Sequence, residues 1–472
     1  MRDGWLLDPI EGEFEDADLG DERLVARLAM LASALGREPG ASIARVSKSV
    51  AAREAAYRFL ENRRVTMEAL LQPHQLATAE RCQSERLVYV VSDTTEVVLP
   101  GEQRGKKLGR IQGRRRGFLA HAALAVSASG DRAPLGVLGL TTIVRDDEPK
   151  KHRNTRQVEQ ATDRESARWG AMVNSTEKLL DGTAAIHVMD READMFELLS
   201  QLTTDSRRFV IRASRDRVLT DGKLFESVAQ AESVLERDVR ISARKSPQRT
   251  TKGRGHPARH KRVAKLSVAA KRITLRRPRR CGEEFPETLS INVVHVFEPH
   301  PPDENAPVQW LLATTEPIET PEQIAAVVDA YRARWLIEEY FKALKTGCAF
   351  ESRQLRSIHT LTNALGLLAP IAWRLLLLRT LEREAPSTPA VDVLDPLLLE
   401  ALAAKLKEIR EPKPLPPNPT VADFMRGVAR LGGHHKSNGP PGWQLLWYGF
   451  QYLLSFAGGF IAARSATSCD HS

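Results

Sequence analysis

Cysteine is scarce: four residues in 472, Cys82, Cys281, Cys348 and Cys469, far apart and without paired metal spacing. This excludes a disulfide-stapled fold and a thiolate metal centre, and it fits a reducing cytoplasm. The N-terminus, Met-Arg-Asp-Gly-Trp-Leu-Leu-Asp, lacks the apolar core of a signal peptide. The most apolar run, 364–378, contains Pro370 and Arg374 and is too short to span a bilayer, so a buried helix is expected there. Internal repeats are not evident. One local absence is sharper. Between positions 244 and 280 there is no acid at all, against 15 Lys or Arg. A solvated loop rarely excludes acids so completely, so contact with a polyanion is expected.

The remainder is ordinary globular composition, 42% hydrophobic and 27% charged, on a chain long enough for about three domains. The net charge of +9 and pI near 9.4 point the same way as the basic stretch. Residues 1–70 read as helical. Asp21 can cap a helix whose stripe is Leu24, Leu28, Leu31 and Leu35, stopped at Gly36; a second helix covers 47–62. Arg45, Lys48, Arg53, Arg58, Arg63 and Arg64 make this region basic. It suits either a helical cap with a solvated face or a DNA-binding module.

The period then changes. The run 87–93 is an apolar strand ending on Asp93, followed by strands at 117–127 and 133–144 with Gly130-Asp131 as their turn. Lys106, Lys107, Arg110 and Arg114 to Arg116 lie between the first two strands and suit phosphate contact. A helix over 163–180 leads to a strand ending on Asp190, then a short helix at 194–201 and a fifth strand at 208–212. Residues 218–312 alternate like strands at 239–243, 264–268, 272–275, 289–297 and 309–314. The gap from Asp190 to the next acidic helix is therefore filled by a β-rich insertion. An apolar helix near 359–382 and a Pro-rich linker at 411–419 follow.

The most informative stretch is 331–345. At 100° per residue, Tyr331, Arg334, Glu338, Lys342 and Lys345 fall within roughly 80° of arc on one helix. Ala333, Leu336, Ile337, Tyr340, Phe341 and Leu344 take the opposite side. One carboxylate among cations suits a metal ion beside a phosphate chain. Asp93 and Asp190 at strand ends add two further oxygen donors, and two divalent ions held by a few carboxylates can stabilise the attacking and leaving oxygens of phosphoryl transfer.

Tyr, Arg three on, Glu four further and Lys seven further resembles the Tyr-Arg-Glu-Lys motif of bacterial cut-and-paste transposases of the insertion-sequence-four family. Asp190-Arg-Glu-Ala-Asp194 resembles that family's second catalytic block. Leu19-Gly-Asp-Glu-Arg and Ala56-Tyr-Arg-Phe are similar to its N-terminal domain, Pro257-Ala-Arg with Arg272-Ile-Thr-Leu to its insertion, and Met425 to Gly433 with Gly442 to Gly449 to its C-terminal domain. The resemblance implies an α/β fold: an RNase H-like catalytic core with a β-rich insertion, flanked by helical domains. The expected divisions are 1–70 for DNA binding, 71–370 for catalysis with the insertion at about 218–312, and 371–472 for dimerisation.

It further implies a DDE transposase with Asp93 shared by two Mg²⁺ ions (Mn²⁺ substituting) and Asp190 and Glu338 each completing one site. Glu96, Glu192, Asp194 and Glu339 are then nearby acids without that role. Tyr331, Arg334 and Lys345 become phosphate ligands, with Lys342 on the same face and Lys261, Arg262 and Lys265 in the insertion. Trp310 would stack on a base flipped from the DNA end, with Arg212 near it; for Trp310 alone, ordinary core packing is equally open. The implied route is cleavage at the transposon end, a DNA hairpin, its opening, and strand transfer. Partners would be double-stranded end and target DNA and a second copy of the chain, in a bacterial cytoplasm. The alternatives are an RNase H-like nuclease that cuts without joining, or an inactive DNA-binding regulator.

Overall fold

The computed structural model describes residues 9–99, 108–111, 115–130, 132–145, 165–241, 260–302, 307–435, 441–443, 445–446 and 448–457. Lys106, Lys107, Arg114, Asp131, Trp447 and the basic run 242–259 lie outside them.

The first helices form because each begins on a polar cap. Asp21 accepts the Arg23 N–H at the start of α1 (Glu22–Arg37), and Leu28, Leu31 and Leu35 are buried on its inner face. After α2 (Ile43–Val46), Ser49 caps α3 (Val50–Glu61) and Thr66 caps α4 (Met67–Gln83). Arg53, Arg58, Arg63 and Arg64 all face solvent.

Twelve strands make one mixed sheet: β1 (Val88–Val98), β2 (Gly109–Arg110), β3 (Arg116–Ser127), β4 (Pro134–Ile143), β5 (Ala185–Met189), β6 (Arg208–Arg212), β7 (Val218–Leu219), β8 (Gly222–Lys223), β9 (Ser233–Ile241), β10 (Arg262–Arg276), β11 (Thr288–Phe297) and β12 (Gln309–Thr314). The order is β2-β3-β1-β5-β6-β12-β11-β10-β7-β8, with β4 also on β3 and β9 also on β10. Strand β1 is antiparallel to β3 and parallel to β5, and β5 is parallel to β6. Helices α5 (Arg168–Leu180), α6 (Phe196–Thr204) and α7 (Leu224–Ala229) connect these strands. The strands of the insertion continue the same sheet, because β12 pairs antiparallel with β6.

Several strand boundaries differ from the sequence reading; β9, expected over 239–243, already begins at Ser233. Asp93 is the sixth residue of an eleven-residue strand and does not end it; β3 offers partners out to Gly117, so pairing carries β1 on to Val98. The strands expected at 264–268 and 272–275 are one strand, β10. Its first half buries Ala264, Leu266 and Val268 in the main core and its second half buries Ile273 and Leu275 in a separate cluster, and that change of parity resembles a break in sequence.

The stretch read as one helix is three pieces. Helix α8 (Pro321–Ala333) ends at Arg334, α9 (Trp335–Lys342) follows, and Ala343–Gly347 is a π-turn. Tyr331 is buried at 6%, whereas Trp335 is 54% exposed. Behind them α10 (Ile358–Glu384) is the central core helix. By length and composition it could cross a bilayer, but 83% of its most apolar window is buried inside the protein. Its Trp373 indole N–H donates to the Pro134 carbonyl at 2.8 Å.

Helices α11 (Pro396–Glu408) and α12 (Val421–Leu431) complete the C-terminal part with helical residues at 443, 445–446 and 448–457. Gly432 and Gly449 let these residues lie against α12. A Cβ on Gly432 would fall 1.9 Å from the Leu445 carbonyl, and one on Gly449 1.8 Å from that of Val428.

Candidate functional site

The parallel register that sets Val91 beside Val188 carries Asp93 alongside Asp190 as β5 ends. Asp190 then caps a single turn, accepting the Glu192 N–H at 2.8 Å. Helix α9 lies across β1, and Arg334 joins the two. Its Nη1 donates to Asp93 Oδ2 at 2.8 Å and its Nη2 to Glu338 Oε1 at 2.5 Å. Asp93 Oδ1 also accepts the Thr94 N–H at 2.7 Å.

Burial pushes the Asp93 carboxyl up to about 6; Arg334 opposes this, and the charges of Asp190 and Glu338 add to it. The cluster thus has more carboxylate than its one guanidinium balances. Among the described residues, no group of three His, Cys, Asp or Glu converges tightly enough to hold a metal ion as it stands. The donor set is nonetheless all oxygen and partly exposed, which fits a hard divalent cation such as Mg²⁺.

Tyr331 extends the cluster. Its ring meets Trp310 edge-on at 5.6 Å, and the Arg334 guanidinium lies 5.9 Å over it. Trp310 is half-buried, neither free nor enclosed. Arg212 ends β6 beside them, donating to the Gln309 carbonyl at 3.2 Å and hydrogen-bonded to Tyr331. Lys345 reaches from the π-turn to the Glu96 carbonyl on β1 and stands 3.6 Å from Glu351. The structure therefore gathers Asp93, Asp190, Glu338, Arg334, Tyr331, Trp310, Arg212 and Lys345.

Other expected residues go elsewhere. Lys342 turns to Glu339 at 2.6 Å, an i,i+3 pair within α9, and not to Glu338 one turn away on the same helix. Arg262 forms a two-pronged pair with Glu298, one contact at 2.7 Å, so its charge is already matched inside the protein. Lys261 and Lys265 are exposed on β10 and the residue before it. Asp194 is locked by Arg217 and the Ser214 and Arg215 amides, a structural acid.

Arg168 was not visible in the sequence as a site residue. It donates to Thr94 Oγ1 at 2.9 Å and to Glu192 Oε2 at 2.6 Å, tying the segment after Asp93 to the turn after Asp190. Thr94 in turn bonds His121 Nδ1 at 2.9 Å, and burial with the Arg168 charge holds that imidazole down at about 3. No spacing links these residues; only adjacency to Asp93 and Asp190 could have suggested them.

Residues 8–65 match the family model described as transposase DNA-binding, and residues 156–373, which include Asp190 and Glu338, match that described as transposase DDE domain. The two matches, to a DNA-binding model and to a catalytic-domain model of transposases, support a DDE transposase. Among solved structures it is similar to the cryo-EM structure of the piggyBac transposase synaptic complex with hairpin DNA, at 10% identity and a TM-score of 0.34 over 82% of this chain and 75% of that one. That likeness is too slight to carry an argument. The DDE domain is that of an enzyme acting on DNA, and such domains ordinarily use divalent metal ions.

Proposed function

We propose that this chain is a cut-and-paste DNA transposase of the insertion-sequence-four type. It cleaves transposon ends with two divalent ions, Mg²⁺ first among them, and joins them to target DNA. The observation that carries this reading is the joint held by Arg334, which brings Asp93 of a strand and Glu338 of a helix together where Asp190 also arrives. An RNase H-like core is supported by the order β4-β3-β1-β5-β6 with β1 antiparallel to β3 and parallel to β5.

In this reading Asp93, Asp190 and Glu338 would hold the ions, which when bound would supply Lewis-acid polarisation of the scissile phosphate and charge stabilisation for the attacking and leaving oxygens. Arg334 keeps the two elements in register and presents a guanidinium to the phosphate. Lys345 adds a charge at the far end of β1. Trp310, Tyr331 and Arg212 form a ledge suited to an unpaired base, in keeping with a hairpin intermediate. The protein works as a homodimer on paired ends, in the bacterial cytoplasm.

The test is Mg²⁺-dependent cleavage of a duplex ending in the inverted repeats that flank the gene. Asp93→Asn, Asp190→Asn and Glu338→Gln should each lower the rate by about 10³-fold or more, from several kcal/mol of lost transition-state stabilisation, while DNA binding persists. Near-normal cleavage by any of the three would sink the assignment. Pre-cut ends offered to a target plasmid separate a transposase from a nuclease that does not join.

A further inference from the structure

One cavity among the described residues, about 2060 Å³, mixes Arg215, Arg276 and Arg279 with Glu197, Glu283 and Glu284 and has no dominant charge. A second cavity, about 850 Å³, has one. It lies behind the π-turn, between α9, the C-terminal half of α10 and residues 441–448, and Lys342, Lys345, Arg379, Arg383, Trp443 and Tyr448 line it. Two acids share it. Glu339 is already matched by Lys342 at 2.6 Å, the Trp443 indole N–H at 2.6 Å and Arg383 at 3.6 Å. Glu351 accepts the Val98 N–H at 2.9 Å and faces Lys345.

Arg379 is the unusual member. Its side chain is only 4% exposed. Nη2 donates to the Pro441 carbonyl at 2.8 Å, but Nε and Nη1 have no hydrogen-bond partner among the described residues, Nη1 standing 3.4 Å from Glu382. Burial and the like charge of Arg383 weigh against its protonated form, with Glu382 and Glu339 opposing. A buried guanidinium with unmet donors is costly unless an anion reaches it.

We infer that this pocket binds a phosphodiester of the DNA strand leaving the catalytic site, with Arg379 and Arg383 as the phosphate ligands and Tyr448 as a wall for the adjoining sugar or base. The inference rests on the transposase reading. Lys345 supplies the continuity: it lines the pocket and also touches Glu96, three residues along β1 from Asp93. A strand passing the acids therefore meets the pocket next. Arginine suits this place because its planar fork satisfies two phosphate oxygens at once.

The experiment measures the salt dependence of binding to a mixed-sequence duplex by the full chain, the Arg379→Gln/Arg383→Gln variant and a Lys407→Gln control that removes an exposed charge from α11. Losing the one phosphate contact that both arginines make should lower the log–log slope by about 0.9 in the double variant and leave the control unchanged. Because Arg379 is buried, Arg383→Gln alone, at a largely exposed side chain, is measured beside it and should move the slope in the same direction. A neutral methylphosphonate scanned along one strand should weaken wild-type binding at one position beyond the cleavage point and lose that effect in Arg383→Gln. Wild-type binding and Mg²⁺-dependent cleavage with unchanged slopes and an unchanged scan would overturn the pocket and spare the transposase reading. A wild-type chain that binds no DNA would overturn both.

Discussion

Two buried ion clusters in this protein have opposite balance. At the base of the N-terminal region, Glu13 is one carboxylate among His74, Arg81 and Arg374, and Arg81 also stacks 4.4 Å over Trp373. Burial alone would raise the Glu13 carboxyl, but these neighbours hold it down at about 2. His74 Nε2 accepts the Val137 N–H at 3.0 Å, so Nδ1 carries the proton donated to Glu13. At the other cluster three carboxylates share one guanidinium, and Asp93 is pushed up to about 6. A cluster whose carboxylate is answered on every side is a fastener between α4, β4 and the N-terminal turn. A cluster short of cations is built to receive one. Burial does not separate the two; the balance of charge does.

The largest expected break in this comparison is in stability. Glu13→Gln should cost about 3–5 kcal/mol by removing the carboxylate that balances Arg81 and Arg374 and takes the His74 proton, and thermal melting should show it. Asp93→Asn should shift stability by no more than about 1 kcal/mol, since Arg334 keeps Glu338 and a repulsion is relieved. Equal losses would erase the distinction between the clusters.

Next comes acid. Because the folded-state pKa of Glu13 lies below the ordinary 4.5, its contribution is complete above that value and disappears as pH falls toward about 2. The change is on the order of 3 kcal/mol. Burial lowers His74 as well, so protonation of the unfolded chain below the ordinary 6.5 acts in the same direction. Urea melts across this range should show a shallower slope below about pH 4.5 in Glu13→Gln; an unchanged profile would show that other groups carry the acid limb.

A smaller effect is expected at Trp310. Half-buried on Tyr331, it should cost roughly 2 kcal/mol when cut to Ala, less than a fully enclosed tryptophan. If it also supports an unpaired base, nicking should survive while hairpin formation slows, and removing that base from the DNA should restore the step. Uniform loss of every step would leave packing as its whole role. Smallest of all, Lys261→Gln with Lys265→Gln should lower the salt slope of DNA binding by up to about 0.9 for each phosphate no longer neutralised. Arg262→Gln should leave that slope alone and lower stability through the orphaned Glu298.

Much of the site was readable because its chemistry is local. Apolar runs carrying Asp93 and Asp190, and four side chains spaced along 331–345, need no tertiary knowledge to attract attention. What failed depended on geometry that spacing assumes. Lys342 stands one turn from Glu338 on α9, yet its side chain pairs with Glu339, a choice that spacing does not fix. Likewise Arg262 seemed free because its partner, Glu298, lies 36 residues away. Glu339 was rightly set apart from Glu338, but its bond to Trp443 spans 104 residues and left no mark on the helix pattern. Strand register between β6 and β12 was equally hidden, and with it the fact that the insertion and the core share one sheet.

That shared sheet sets an order of assembly. The β10–β11 and β11–β12 pairs join neighbours in the chain, whereas Arg212 meets Gln309 across a separation of 97 residues. Closing a loop of that length costs entropy before any contact repays it, so the local hairpins form first and dock on β6 late. Tyr331, Trp310 and Arg212 come together only at that docking. Pulse-labelled hydrogen exchange during refolding should protect the β10 and β11 amides before those of β6. A nascent chain would then hold its acids apart from the aromatic ledge until the fold is nearly finished, and the capacity to cut DNA would be the last property it acquires.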